Sequence, residues 1–75
     1  MELKIMLSTM KDAAMFVTKM EHVAGDADLK FKNQIVDAKS LIGVLQLGVG
    51  RETILDLHEE QDPDTIRSLL KDYIV

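Results

Sequence analysis

No cysteine occurs in the 75 residues, which excludes disulfides and thiolate metal sites and leaves nothing to argue for secretion. Tryptophan is absent and aromatics make up only 4% of the chain, so a core must be built from Leu, Ile, Val, Met and Ala. No apolar run is long enough to cross a bilayer, and no charged, apolar and small-residue succession marks a signal peptide. A cytoplasmic protein with no membrane partner is therefore expected. A glycine-rich phosphate loop is missing. The acidic run Glu59, Glu60, Asp62 and Asp64 lacks the spacing and glycine of a calcium loop, and reads as a solvated segment plus a helix cap. Nothing resembles a catalytic triad or a pair of catalytic carboxylates, so the expectation is no enzyme activity, no metal and no cofactor. A net charge of −4 argues against nucleic acid as a partner.

What is present is patterned. A chain of 75 residues with 47% hydrophobic content suits one domain spanning residues 1–75. Residues 2–7, ELKIML, alternate and predict a strand with Leu3, Ile5 and Leu7 inward. Thr9-Met-Lys-Asp12 has the form of a capping box, and Ala13, Phe16, Val17, Met20 and Ala24 then recur at helical spacing up to Gly25-Asp26. Residues 27–32 alternate again, with Ala27, Leu29 and Phe31 inward. Asn33 is suited to the left-handed turn residue before a return strand over residues 34–37. Ser40 is a good N-cap for a short helix over residues 41–47, which Gly48 would stop. Residues 52–57 form a fourth alternating strand with Thr53, Leu55 and Leu57 inward. Asp62-Pro63 then starts a last helix, with Ile66, Leu69, Leu70, Tyr73 and Ile74 on one stripe. The order is β-α-β-β-α-β-α, an α+β two-layer sandwich with a mainly antiparallel four-stranded sheet and three helices on one face.

The joint LSTMKDAAMF, residues 7–16, puts Ser8, Thr9 and Lys11 at a helix N-terminus, where unpaired N–H groups and the helix dipole favour an anion. The stretch AKSLIGVLQLGVG, residues 38–50, crowds five large apolar residues into two helical turns. A helix of that length on a sheet hides one stripe, so some of them should be exposed, either under loops or as a contact patch. Of the two histidines, His22 lies near the end of the first helix and His58 follows the fourth strand. Both read as surface residues.

AKSLIGVLQLGVG resembles the regulatory-serine helix of HPr, the phosphocarrier of the bacterial phosphoenolpyruvate–sugar phosphotransferase system. Ala13-Ala-Met-Phe-Val17 is similar to the start of that family's first helix, and the chain lies on the family without a gap through residue 57. The resemblance implies the open-faced βαββαβα sandwich. It also implies phosphoryl transfer from Enzyme I to sugar-specific Enzyme IIA proteins through a histidine, and kinase control at the serine, here Ser40. Partner contact through Leu41, Ile42 and Leu45 is implied too; on the residues alone, Met10 at the exposed start of the first helix, beside the Ser40 helix, is expected to join that patch.

The family's active site reads His-Ala-Arg-Pro-Ala-Ala, whereas this chain reads Thr9-Met10-Lys11-Asp12-Ala13-Ala14. Threonine at the histidine position would give a stable phosphoester that is a poor donor. Lys11 keeps a charge but lacks the bidentate fork of arginine. Asp12 repels phosphate. The expected role is therefore that of a regulatory or protein-binding relative. Its partners would be phosphotransferase components or a serine kinase, and Ser8, Thr9 and Lys11 would be left as anion-binding candidates. The alternatives are a carrier with a nonstandard acceptor, or a subunit of an unrelated assembly.

Overall fold

A computed structural model describes all residues, 1–75. Seven elements follow the expected order: β1 (Glu2–Met6), α1 (Met10–Met20), β2 (Ala27–Phe31), β3 (Gln34–Asp37), α2 (Leu41–Leu47), β4 (Glu52–Leu57) and α3 (Pro63–Leu69). The strands form one antiparallel sheet in the order β1-β4-β2-β3. Leu3, Ile5, Ala27, Leu29, Leu55 and Leu57 project from one face and are buried with Ala13, Phe16 and Met20 of α1, Val44 of α2 and Ile66 of α3. Thr53 is inward as expected. Its hydroxyl donates to the Ile5 carbonyl at 3.2 Å, and no buried side-chain nitrogen or oxygen is left unpaired.

Local boundaries differ from the pattern where tertiary geometry overrides it. α1 ends at Met20, short of Gly25, because the next amides turn tightly. Glu21 N–H bonds to Thr18, His22 N–H to Lys19 and Val23 N–H to Met20. Three residues per turn carry Val23 under the sheet in place of the expected Ala24, which is exposed. Gly25 takes a positive φ of 75° in the following loop. At the β2–β3 turn the positive φ falls on Lys32 (53°), not on Asn33. That conformation costs a lysine about 1 kcal/mol. Phe31 is only half-buried, and its ring lies between the Lys32 ammonium at 5.3 Å and the Arg51 guanidinium at 4.8 Å.

The final stripe also changes state. α3 stops at Leu69, and Tyr73 and Ile74 lie beyond it. The tail pairs with β1 instead: Met6 N–H donates to the Tyr73 carbonyl at 2.8 Å and Val75 N–H to the Lys4 carbonyl at 3.0 Å. Helical spacing placed Tyr73 on the core side correctly, and its ring meets Phe16 edge-on at 6.0 Å.

The open face of the sheet carries an ion pair, Lys30 Nζ to Asp56 Oδ2 at 2.8 Å. The hydrogen bond from Lys30 holds the Asp56 carboxyl below its ordinary range, and the same bond raises the Lys30 ammonium. The Asp56 contribution is therefore present above the ordinary carboxylate pKa and disappears as pH falls through the lowered value. The Lys30 contribution is lost only as pH rises through its raised value. Urea unfolding should show Asp56→Asn destabilised at neutral pH, with the difference from wild type closing as pH falls through the lowered Asp56 value. A difference that persists in acid would remove the ion pair as its cause.

Candidate functional site

The entry to α1 is a closed capping box. Thr9 is the N-cap, with extended φ and ψ of −136° and 167°. Its Oγ accepts the Asp12 amide at 3.1 Å, and the Asp12 carboxylate accepts the Ser8 amide at 3.2 Å. Two of the donors that a helix start offers to an anion are thus already satisfied from within. Ser8, Thr9 and Lys11 are all exposed at this helix start. The structure also places the Asp12 carboxylate among them as a resident negative charge. The loop after α2 backs this joint. Leu7 bridges to Val49, and Gly50, at a φ of 80°, donates to the Leu7 carbonyl at 2.7 Å.

Ser40 is half-buried and caps α2, its Oγ accepting the Gly43 amide at 3.3 Å. Lys39 beside it is engaged elsewhere. Its ammonium donates to the Val23 carbonyl at 2.6 Å, and its amide donates to Asp37 Oδ1 at 2.9 Å. Gly43 lets α2 approach β3, since a Cβ there would stand 3.2 Å from that of Val36.

Four large apolar side chains are exposed on α1 and α2: Met10 (67%), Met15 (45%), Leu41 (42%) and Ile42 (70%). Leu45, named with Leu41 and Ile42 in the expected contact set, is less exposed than they are. It is half-buried and packs against the core. Met15 joins the exposed set, and its signal was present in the sequence as an apolar residue off the Ala13, Phe16, Val17, Met20 stripe. The connections run the two helices in opposite directions. Leu7, just before α1, meets Val49, just after α2, while Lys39, just before α2, reaches Val23, just after α1. Met10 is therefore at one end of the surface, with Leu41 and Ile42 toward the other.

Both histidines occupy the opposite pole from Thr9. His58 follows β4, its Nε2 lies 2.9 Å from Asp28 Oδ2, and its amide donates to the Asp26 carbonyl at 3.1 Å. His22 is exposed in the turn after α1. β1 and α1 must run most of their lengths between these groups and Thr9. The acidic segment behaves as a helix cap: Asp62 Oδ2 accepts the Thr65 amide at 3.3 Å and the Thr65 hydroxyl at 2.5 Å. No helix is long and apolar enough to cross a membrane.

Residues 9–72 match the family model described as PTS HPr component phosphorylation site, so the match begins at Thr9. Among solved structures, the chain is similar to the crystal structure of a phosphocarrier protein HPr from Bacillus anthracis str. Ames. The TM-score is 0.74 at 19% identity, over 97% of this chain and 95% of that one. No curated protein sequence matches the chain.

Proposed function

Because this chain belongs to the HPr family of the phosphotransferase system, we propose that it is a regulatory, protein-binding member that does not carry phosphate on histidine. The observation that carries this reading is the capping box. Thr9 stands where the family resemblance places the phosphorylated histidine, and its Oγ is committed to the Asp12 amide. An imidazole is a good nucleophile near neutral pH and forms an energetic phosphoramidate, whereas a hydroxyl lacks both properties. The Asp12 carboxylate opposes a second anion at the same helix end. His22 and His58 cannot substitute from the far pole.

The retained feature is the apolar surface of Met10, Met15, Leu41 and Ile42. Exposed apolar side chains on two adjoining helices of a small domain suit a protein contact, and methionines adapt to more than one partner shape. The partners would be proteins of the phosphotransferase system in the cytoplasm, held without a phosphoryl group being passed on. Titration of ¹⁵N-labelled protein with unphosphorylated Enzyme I or Enzyme IIA should shift amides of α1 and α2. Ile42→Asp should weaken binding by about tenfold or more, since it buries a charge at the contact. Unchanged affinity in that variant would contradict the assignment. Ser40 is the modification site in this reading, because phosphate at a helix N-terminus is electrostatically favourable. Kinase labelling that survives in Ser40→Ala would contradict it.

A further inference from the structure

The two edges of the sheet are treated differently. The β1 edge is closed by the chain's own tail, whose Tyr73 carbonyl and Val75 amide bond to Met6 and Lys4. The β3 edge has no such cover. In an antiparallel ladder, residue pairs alternate between those that exchange hydrogen bonds and those that do not. The bond from Ala38 N–H to the Ala27 carbonyl, with the register Leu29↔Val36, makes 27/38, 29/36 and 31/34 the bonded pairs. Ile35 and Asp37 therefore point their backbone groups away from β2. The Asp37 carbonyl is taken by the Ser40 amide at 3.0 Å. The N–H and C=O of Ile35 and the N–H of Asp37 are left facing solvent. Ile35 itself is 60% exposed, an unusual position for a large apolar residue on a strand edge.

Two more features adjoin this edge. A groove of about 380 Å³ opens between β3 and α2, lined by Gln34, Ile35, Val36, Gln46 and Leu47. On the open face, the pairings Glu2↔Asp56, Asp56↔Asp28 and Asp28↔Asp37 align four carboxylates in one row that ends at the β3 edge. Lys30 pairs with Asp56 and the His58 ring hydrogen-bonds Asp28, whereas the Asp37 carboxylate accepts only the Lys39 amide and faces the like charge of Asp28. A basic group placed beyond Asp37 would relieve that repulsion.

The geometry points to strand addition at β3: an extended segment of a partner protein pairs antiparallel with Gln34–Asp37. Its chemistry is read from the edge in order. A basic residue lies opposite Asp37, an apolar residue opposite Val36 enters the β3–α2 groove, and a second apolar residue packs opposite Ile35. Three backbone hydrogen bonds form, two with Ile35 and one from the Asp37 amide. This surface lies on the sheet edge, apart from the exposed apolar residues of α1 and α2.

The probe is the peptide acetyl-Thr-Thr-Lys-Leu-Val-Thr-Thr-amide, titrated into ¹⁵N-labelled protein. Binding should shift the β3 amides and protect Ile35 and Asp37 N–H from solvent exchange. Methylating the peptide nitrogen of its valine should weaken binding about tenfold, as should replacing its lysine with glutamate. Ile35→Pro removes the outward N–H without touching a β2–β3 bond and should abolish binding with the fold retained by circular dichroism. Asp37→Lys should reverse the preference in favour of the glutamate peptide, which keeps the test decisive if the proline variant misfolds. Absence of binding, shifts confined to α1 and α2, self-association through β3 in place of peptide binding, or indifference to backbone methylation would each overturn the assignment.

Discussion

Phe16→Ala should remove a large share of the stability of this fold. Phe16 is fully buried, sits on the inner stripe of α1 and meets Tyr73 edge-on at 6.0 Å. Truncating such a side chain costs about 3–5 kcal/mol through lost transfer energy and the cavity left behind. A domain of this length is stable by only about 4–11 kcal/mol in total. The core has few aromatics to compensate, and no disulfide or metal ligand set of cysteines supports it. The urea midpoint should therefore fall by a third or more of its value, with a matching loss of helical circular dichroism on mild warming. Met15→Ala on the exposed side of the same helix should change stability by about 0.5 kcal/mol or less. Equal effects of the two substitutions would show that the inner stripe of α1 is not the centre of the core.

The second large effect is a gain of activity. Thr9→His, Lys11→Arg and Asp12→Pro together should confer acid-labile phosphorylation by phosphoenolpyruvate and Enzyme I. The three changes are coupled through the cap. Thr9→His removes the acceptor of the Asp12 amide, which alone would leave that donor unpaired. Asp12→Pro removes the donor itself, and proline is tolerated in the first helical turn, where its N–H is not needed. It also removes the carboxylate that repels phosphate. Lys11→Arg supplies a fork able to hold two phosphate oxygens. Thr9→His alone should be labelled far more weakly, because Asp12 remains. A folded triple variant that gains no label would show that phosphotransfer fails at recognition and not at the acceptor.

How much of this could be read from the residues depends on how local each feature is. The Thr9–Asp12 and Asp62–Thr65 caps are settled within four residues, and both form as the spacing requires. The inward faces of β1, β2 and β4 follow from alternation, which a one-sided sheet imposes directly. Tyr73 and Ile74 show where periodicity runs out. Their spacing suits the α3 stripe, yet pairing with the free edge of β1 satisfies more backbone groups, and that edge exists only after the sheet is assembled. Val23 replaces Ala24 in the core for a similar reason, since the tightening of the turn is invisible in the residue types. Leu45 and Leu41 are the same residue one turn apart, and only the sheet beneath α2 decides which is half-buried. The cross-sheet acidic row needs the order β1-β4-β2-β3, which brings together residues up to 54 positions apart.

Intact mass spectrometry of the wild-type protein, after incubation with phosphoenolpyruvate and Enzyme I, tests the central claim most directly. The spectrum should show the unmodified chain alone, under conditions that phosphorylate the triple variant. An acid-labile gain of one phosphate on the wild-type chain would contradict the account and return it to the phosphocarriers.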